Sequence, residues 1–146
     1  MATYNKISDF VEHVAEKVHN LGSDQLVVAL SNTAPGSEST PPTGDGAGIL
    51  ANVTQISYTN LSSRNITTSA SAQASGTYKL TLTDLVLAAS GGSVGPFRYA
   101  YIYNDTPTSP ADPLIAYYDY GSALTLNDGE TLTIDFDGTN GFLQIA

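Results

Sequence analysis

The sequence predicts a mainly β fold, a jelly-roll-like β-sandwich with one N-terminal amphipathic helix. Polar and apolar residues alternate in runs such as 77–83 and 131–137. A period of two places every second side chain on the same face of a strand, which is the pattern of a half-buried sheet. Turn residues separate such runs at intervals of about 8 to 12 residues, a spacing typical of sandwiches, jelly rolls and barrels.

The size and composition indicate a single domain spanning residues 1–146. A chain of 146 residues can bury one hydrophobic core. Charged residues make up only 13% of the chain, well below the fraction of about 25% in typical soluble domains. The formal net charge is −9, and because a negative field repels phosphate backbones we expect no nucleic-acid partner. Cysteine is absent, which excludes disulfides and thiolate ligands.

The beginning of the chain predicts a short arm followed by the helix. Residues 1–5 carry too few apolar side chains to pack alone and are predicted as an N-terminal arm. Over residues 6–21 apolar residues recur at spacings of three and four, and Gly22 is well placed to end a helix. This apolar stripe consists of Ile7, Phe10, Val11, Val14, Ala15, Val18 and Leu21. A helix of about four turns is marginal alone, so we expect it to cover the sheets or, alternatively, to bind a partner.

The segment after the helix predicts one buried strand and a long loop. Residues 25–30 are almost continuously apolar, which indicates burial on both faces of the strand. Residues 33–48 are rich in Pro, Gly, Ser and Thr and are predicted as a long loop, a class of segment that is commonly functional. We expect an edge strand at 49–57 and a loop or irregular strand at 60–74.

The rest of the chain predicts the main strands of the sandwich. They are expected at 77–83, 85–89, 97–103, 114–120, 123–126, 131–136 and 142–145. The apolar phase shifts near Asp84, which indicates a β-bulge. The Asn-Asp-Gly run at 127–129 predicts a tight hairpin turn.

The two histidines do not predict catalysis. His13 and His19 are six residues apart, which places them about 240° apart on a continuous helix. We therefore expect both to face solvent separately, and neither to share a metal or to complete a Ser-His-acid triad. The sequence predicts a protein that is not an enzyme.

The acidic residues near the C-terminus allow a calcium loop or a carboxylate pair, but a turn is the simpler interpretation. Asp135, Asp137 and Asn140 lie close together in the sequence with Gly138 and Gly141. The ligand ladder and terminal Glu of an EF-hand are missing, and two carboxylates on an outward strand face need no catalytic role. We predict no metal and no cofactor.

Tyrosines and prolines are the candidate interface residues. If the strands 97–103 and 114–120 are neighbours, their tyrosines form one aromatic layer, which suits a core, a protein interface or a carbohydrate platform. The arm and the long loop supply further candidates, since such segments reach partners. The complete set is Tyr4, Pro35, Pro41, Pro42, Tyr99, Tyr101, Tyr103, Tyr117, Tyr118 and Tyr120.

Several stretches resemble the capsid decoration, or cement, proteins of tailed bacteriophages. They are the runs 19–22, 29–35, 76–80, 91–99 and 137–141. The resemblance covers most of the chain, although these runs are structural patterns and not catalytic signatures. It implies a jelly-roll-like fold, a homo-oligomer (dimer or trimer), and docking of the protein on the outside of a shell made of major capsid protein.

The resemblance also implies where the protein is located and leaves one alternative function. No apolar run approaches the roughly 20 residues of a membrane helix, and the N-terminus has no apolar signal core. We therefore expect no membrane partner, assembly in the host bacterial cytoplasm, and a final place in the virion. The rival interpretation is a tail, fibre or head-tail component that binds another virion protein or a host glycan.

Overall fold

The computed structural model describes residues 2–146 and confirms a mainly β chain, with 46% of residues in strands and 8% in helices. Met1, the first residue of the predicted arm, lies outside the described residues. The strands are β1 (Thr3–Lys6), β2 (Leu26–Ser31), β3 (Asn65–Ile66), β4 (Thr68–Ala74), β5 (Thr77–Leu82), β6 (Leu85–Ala88), β7 (Val94–Asn104), β8 (Leu114–Leu126), β9 (Thr131–Ile134) and β10 (Leu143–Ile145). The α-helix α1 spans Phe10–Ala15, and 3₁₀ turns span Pro35–Ser37 and Leu50–Asn52.

The largest sheet has five antiparallel strands in the order β1-β8-β7-β2-β3. Its first strand corrects the predicted arm, because Thr3–Lys6 pairs with β8 and Tyr4 lies opposite Tyr118. The Tyr4 ring also packs edge-on against Phe142, with ring centroids 5.9 Å apart. Backbone pairing and these aromatic contacts hold a segment that has too few apolar residues to pack by itself.

Two smaller sheets, β10-β5-β4 and β6-β9, share one apolar core with a face of the five-stranded sheet. Alternation places Leu80 and Leu82 of β5 in this core, where both are buried. Val28 and Leu30 of β2 and Ile102 of β7 come from the opposite layer and are also fully buried. Strands β2 and β7 are therefore buried on both faces, as the continuous apolar run in β2 predicts.

The second face of the five-stranded sheet is covered by Ile7 and by the segment around the predicted long loop. Ala34, Leu50 and Val53 pack there against buried residues of β2, β7 and β8. The loop is tied down by the buried carboxylate of Asp9, which accepts hydrogen bonds from the N–H groups of Gly46 (2.9 Å) and Gly48 (2.8 Å). Residues 33–53, which include the predicted loop 33–48, thus cover one face of the sheet, and we call them the cover segment.

The predicted helix over 6–21 is wrong in extent, since only Phe10–Ala15 is α-helical. The backbone of Lys17 adopts a positive φ of 63°, which a continuing right-handed helix does not allow. Val18 N–H bonds back to the carbonyl of His13 (2.8 Å) and closes a wider turn. The chain then folds back, so Leu21 still reaches the core although it is no longer helical.

Some strand predictions also differ from the structure. The expected edge strand at 49–57 contains only a bridge and a 3₁₀ turn, whereas the segment 60–74 contains β3 and β4. The two strands expected at 114–120 and 123–126 are one, β8.

Two predicted irregularities have another origin. The phase shift at Asp84 marks the passage from β5 to β6, which belong to different sheets, so the bulge predicted there is wrong. The turn at 127–129 joins β8 to β9, which do not pair with each other, so it is a turn between sheets and not a hairpin.

Candidate functional site

An apolar groove of about 610 Å³ lies between the five-stranded sheet and β9. Its floor includes the side chains of Tyr118, Tyr120 and Leu124 from β8, together with Phe97 from β7. Its wall is the stretch 132–135 at β9. We define these residues, with Ala2, Arg98, Ala100 and Asp137 at the margins, as the groove.

The groove exists because two strands lack neighbours on one side. Strand β1 pairs with β8 only from Ala116 to Asp119, and beyond that point Leu124 and Leu126 of β8 pair with β7. Within residues 2–146, strand β9 pairs only with β6. Unpaired strand edges carry free N–H and C=O groups and readily accept a further strand.

The charges at the groove are mostly acidic. The guanidinium of Arg98 donates a bidentate pair of hydrogen bonds to Asp119, Nε to Oδ1 at 2.7 Å and Nη2 to Oδ2 at 2.9 Å. The hydrogen bond from Arg98 is the main reason why the pKa of Asp119 is lowered, and the N–H of Gly121 adds to it. The cation of Arg98 is therefore already compensated by its own chain.

The two aspartates of the predicted calcium loop have separate roles. The carboxylate of Asp137 accepts hydrogen bonds from the N–H of Asn140, the side-chain amide of Asn140 and the N–H of Thr139, at 2.8, 2.7 and 2.8 Å. These bonds, with those from Asn140 the strongest, lower the pKa of Asp137. Asp135 is exposed and has no hydrogen-bond partner among residues 2–146. The stretch forms a turn, with one free carboxylate on the groove.

The structure divides the predicted tyrosine layer between the two faces of the sheet. Tyr99, Tyr101 and Tyr103 are 6%, 0% and 5% exposed, so their prediction as interface residues is wrong for the folded chain. Tyr117 packs with them, and its ring centroid lies 5.3 Å from that of Tyr101. These four side chains form a core beneath the cover segment, and burial raises the pKa of Tyr101 and Tyr103.

The opposite face carries the tyrosines that a partner can reach. Tyr118 is half-buried in the groove, where burial raises its pKa, and Tyr120 is 50% exposed beside it. Tyr4 is 41% exposed at the end of the sheet next to Tyr118. The alternation of β8 therefore separates Tyr118 and Tyr120 from Tyr117.

The candidate prolines are also divided by burial. Pro35 and Pro42 are buried in the cover segment and are not available to a partner as side chains, so their prediction as interface residues is wrong. Pro41 is exposed. The segment packs on its own sheet because apolar side chains such as Val53 and Leu50 anchor it there.

The two histidines lie together, and the prediction that they face solvent separately is wrong. Their ring centroids are 5.8 Å apart in an edge-to-face arrangement. The reversal at Lys17 abolishes the angular separation that a continuous helix would impose. His13 Nδ1 and His19 Nε2 are both buried without a hydrogen-bond partner among the described residues.

Asn104 fixes the tautomer of His19. Its side-chain amide donates to Asp24 Oδ2 (2.6 Å), and its Oδ1 accepts from the N–H of Thr106 (3.1 Å), so the orientation of the amide is determined. The same Nδ2 lies 3.1 Å from His19 Nδ1, which must therefore accept and carry no proton. Burial and then the neighbouring His13 lower the pKa of His19 to about 4.

No protein-family model, curated protein or solved structure matches this chain. Within residues 2–146 no cluster of three or more His, Cys, Asp or Glu side chains has the arrangement of a metal site. The described part of the chain also contains no helix that is long and apolar enough to span a membrane.

The groove is the part of the site that sequence reasoning missed. Its residues come from β7 and β8 of the five-stranded sheet and from β9 of another sheet, so only the packing of the two sheets brings them together. The one local signal is the run Tyr-Gly-Ser at 120–122, where the apolar pattern of β8 is interrupted and its neighbour β1 ends.

Proposed function

We propose that this protein is a non-enzymatic structural protein that decorates and stabilises a bacteriophage capsid by bridging major capsid protein subunits on the outer surface. The observation that carries the proposal is the groove, an apolar surface between two unpaired strand edges in an acidic β domain. It offers a binding surface without the constellation of a catalytic site. The resemblance of several stretches to decoration proteins agrees with this function.

The proposal also includes a specific fold and a specific assembly. We propose that the sheets form a jelly-roll-like sandwich and that the protein acts as a dimer or trimer in the virion. A symmetric oligomer would present several copies of the groove to neighbouring capsid subunits. Binding at one copy raises the effective concentration at the next, so weak contacts add up.

Stabilisation of the shell would follow from mass action. A ligand that binds the assembled shell better than the dissociated subunits shifts the equilibrium toward the shell by RT ln(1 + [L]/Kd). The bridging requires no chemistry. The polar side chains support this view, because His19 is held by Asn104, Asp119 by Arg98, and Asp137 caps a turn.

The experiment mixes the purified protein with shells assembled from the major capsid protein made alongside it. We expect the protein to sediment with shells until a fixed ratio is reached, and to raise the temperature at which shells fall apart. Dissociated capsid protein at the same concentration is the control and should bind weakly. If the protein stays in the supernatant at saturating shell concentration, the proposal is wrong.

The second candidate is a tail or fibre component that binds a host glycan or another virion protein. It is favoured by the exposed Tyr120 and the carboxylate of Asp135, which both line the groove, because an aromatic ring with a polar tip together with an acceptor suits a sugar. The number of copies per particle separates the two. A decoration protein is present in numbers comparable to the capsomers, and a tail component in a few copies.

A further inference from the structure

We propose that the groove binds an extended, basic segment of the partner, which adds to the edge of β9 as a further β-strand. Its apolar side chains would lie on Tyr120 and Leu124, and a Lys or Arg would face Asp135. This inference deepens the proposed function and rests on it, because it takes the segment to belong to the shell protein.

Strand β9 presents its edge to the groove. Side chains of a strand alternate between its two faces, so a surface that touches only one face meets every second residue. The groove is lined by three consecutive residues of β9, from Leu132 to Ile134, and by Asp135, which follows the strand. It therefore meets the edge of the strand, where the backbone groups that do not bond to β6 are free. A segment that binds a free edge gains main-chain hydrogen bonds and places alternate side chains in pockets.

The apolar floor lies below that edge. Tyr118, which packs beside Tyr4 of β1, and Leu124 are half-buried, and Tyr120 is half-exposed. β9 has four residues, a length of about 13 Å at about 3.3 Å per residue. A bound segment of about four to six residues would match this length and cover the floor with two or three of its side chains.

The charges at the groove favour a basic segment. The groove has two carboxylates in its lining, Asp135 and Asp137, and its one cation among the described residues, Arg98, is paired with Asp119. The whole chain carries a formal net charge of −9. A basic segment is attracted by this field and an acidic one is repelled. Asp135 is the contact point because the oxygens of Asp137 are engaged in the turn.

The test uses a fluorescein-labelled peptide of seven residues that alternates Val and Lys, with the Val and Glu version as control. Fluorescence anisotropy in moderate salt should show saturable binding of the basic peptide only. Backbone hydrogen exchange should slow at residues 132–135 when this peptide is present. Binding of both peptides alike, binding of neither, or unchanged exchange at 132–135 would overturn the inference.

Matched variants test the place of binding. Leu124→Lys puts a cation on the groove floor and should weaken peptide binding at least tenfold, whereas Val86→Lys adds the same charge at a site that is 52% exposed on β6 and should have a smaller effect. Asp135→Asn should weaken binding about threefold, and the control Glu12→Gln, on α1, should leave it nearly unchanged. Equal losses within each pair would show general charge attraction and contradict the groove.

Two further measurements keep the outcomes distinct. Because Leu124→Lys alters a half-buried position, Tyr120→Ala at a half-exposed position serves as a second variant and should weaken the peptide about threefold without changing the circular dichroism spectrum. Shell sedimentation is measured separately. Peptide binding without shell decoration would support the groove and contradict the capsid function, while decoration that survives Leu124→Lys and Tyr120→Ala would contradict the groove alone.

Discussion

Lowering the pH should destabilise this protein through His19. Its pKa is lowered to about 4 by burial and by His13, whereas an unfolded histidine has a pKa of about 6.5. The unfolded chain therefore binds the proton first as the pH falls. The stabilising contribution of neutral His19 is complete above pH 6.5 or so and is lost progressively between about pH 6.5 and pH 4.

The size of the loss follows from these two values. Near pH 5 the unfolded imidazole is almost fully protonated and the folded one is not, a difference worth about 2 kcal/mol. His19 is only partly buried, and solvent screening reduces the expected loss to about 1 kcal/mol. The position of Asn104 agrees with this direction, because a proton on His19 Nδ1 would face the Nδ2 donor of Asn104.

Urea unfolding followed by circular dichroism, near pH 7.5 and near pH 5, measures the effect. The net charge of −9 and the other titrating groups also change with pH, so the control is His19→Gln under both conditions. The wild type should lose about 1 kcal/mol more than the variant. An equal loss in both proteins, or an NMR titration that gives His19 a pKa near 6.5, would contradict the role assigned to His19.

Three further predictions concern stability. Asp9→Ala removes the acceptor of the Gly46 and Gly48 amides and should lower the free energy of unfolding by about 2–3 kcal/mol. The control Glu12→Ala should change it by less than about 0.5 kcal/mol. Equal free energies of unfolding for the two variants in a denaturant titration would contradict the role of Asp9. Leu30→Ala, at a fully buried position, should cost about 2–5 kcal/mol, and a loss under about 1 kcal/mol would argue against the shared core. Burial raises the pKa of Tyr101 and Tyr118, so the folded protein keeps both phenols neutral. The stability that the neutral phenols give is complete below about pH 10 and is lost as the pH rises further. Absorbance at alkaline pH should show part of the tyrosines ionising only as the protein unfolds, and complete ionisation of the folded protein would contradict their burial.

The strands were the predictable part of the fold, because their signal is local. The alternation of β5 and β9 and the continuous apolar run of β2 place these strands within one or two residues of their observed ends. The helix was overestimated because the folded-back turn after Lys17 returns Leu21 to the core, and this reproduces the helical spacing in the sequence. β4 has few large apolar residues, so only its pairing with β5 identifies it.

The candidate site was less predictable, because it depends on which strands are neighbours. The sequence identifies the tyrosines of β7 and β8 but not the cover segment that buries Tyr101 on one face. It also gives no indication that β1 pairs with β8 only from Ala116 to Asp119 and that, among the described residues, the rest of β8 has no neighbour on that side. The groove lies along this part of β8, and it can be recognised only in the folded chain.

Electron cryomicroscopy of bacteriophage particles assembled in cells that make this protein tests the proposed capsid function directly. We expect density for the chain on the outer surface of the shell, at positions that bridge neighbouring capsid subunits, with a segment of capsid protein lying along β9 in the groove. Particles in which the chain is absent from the shell and found only in the tail would contradict it.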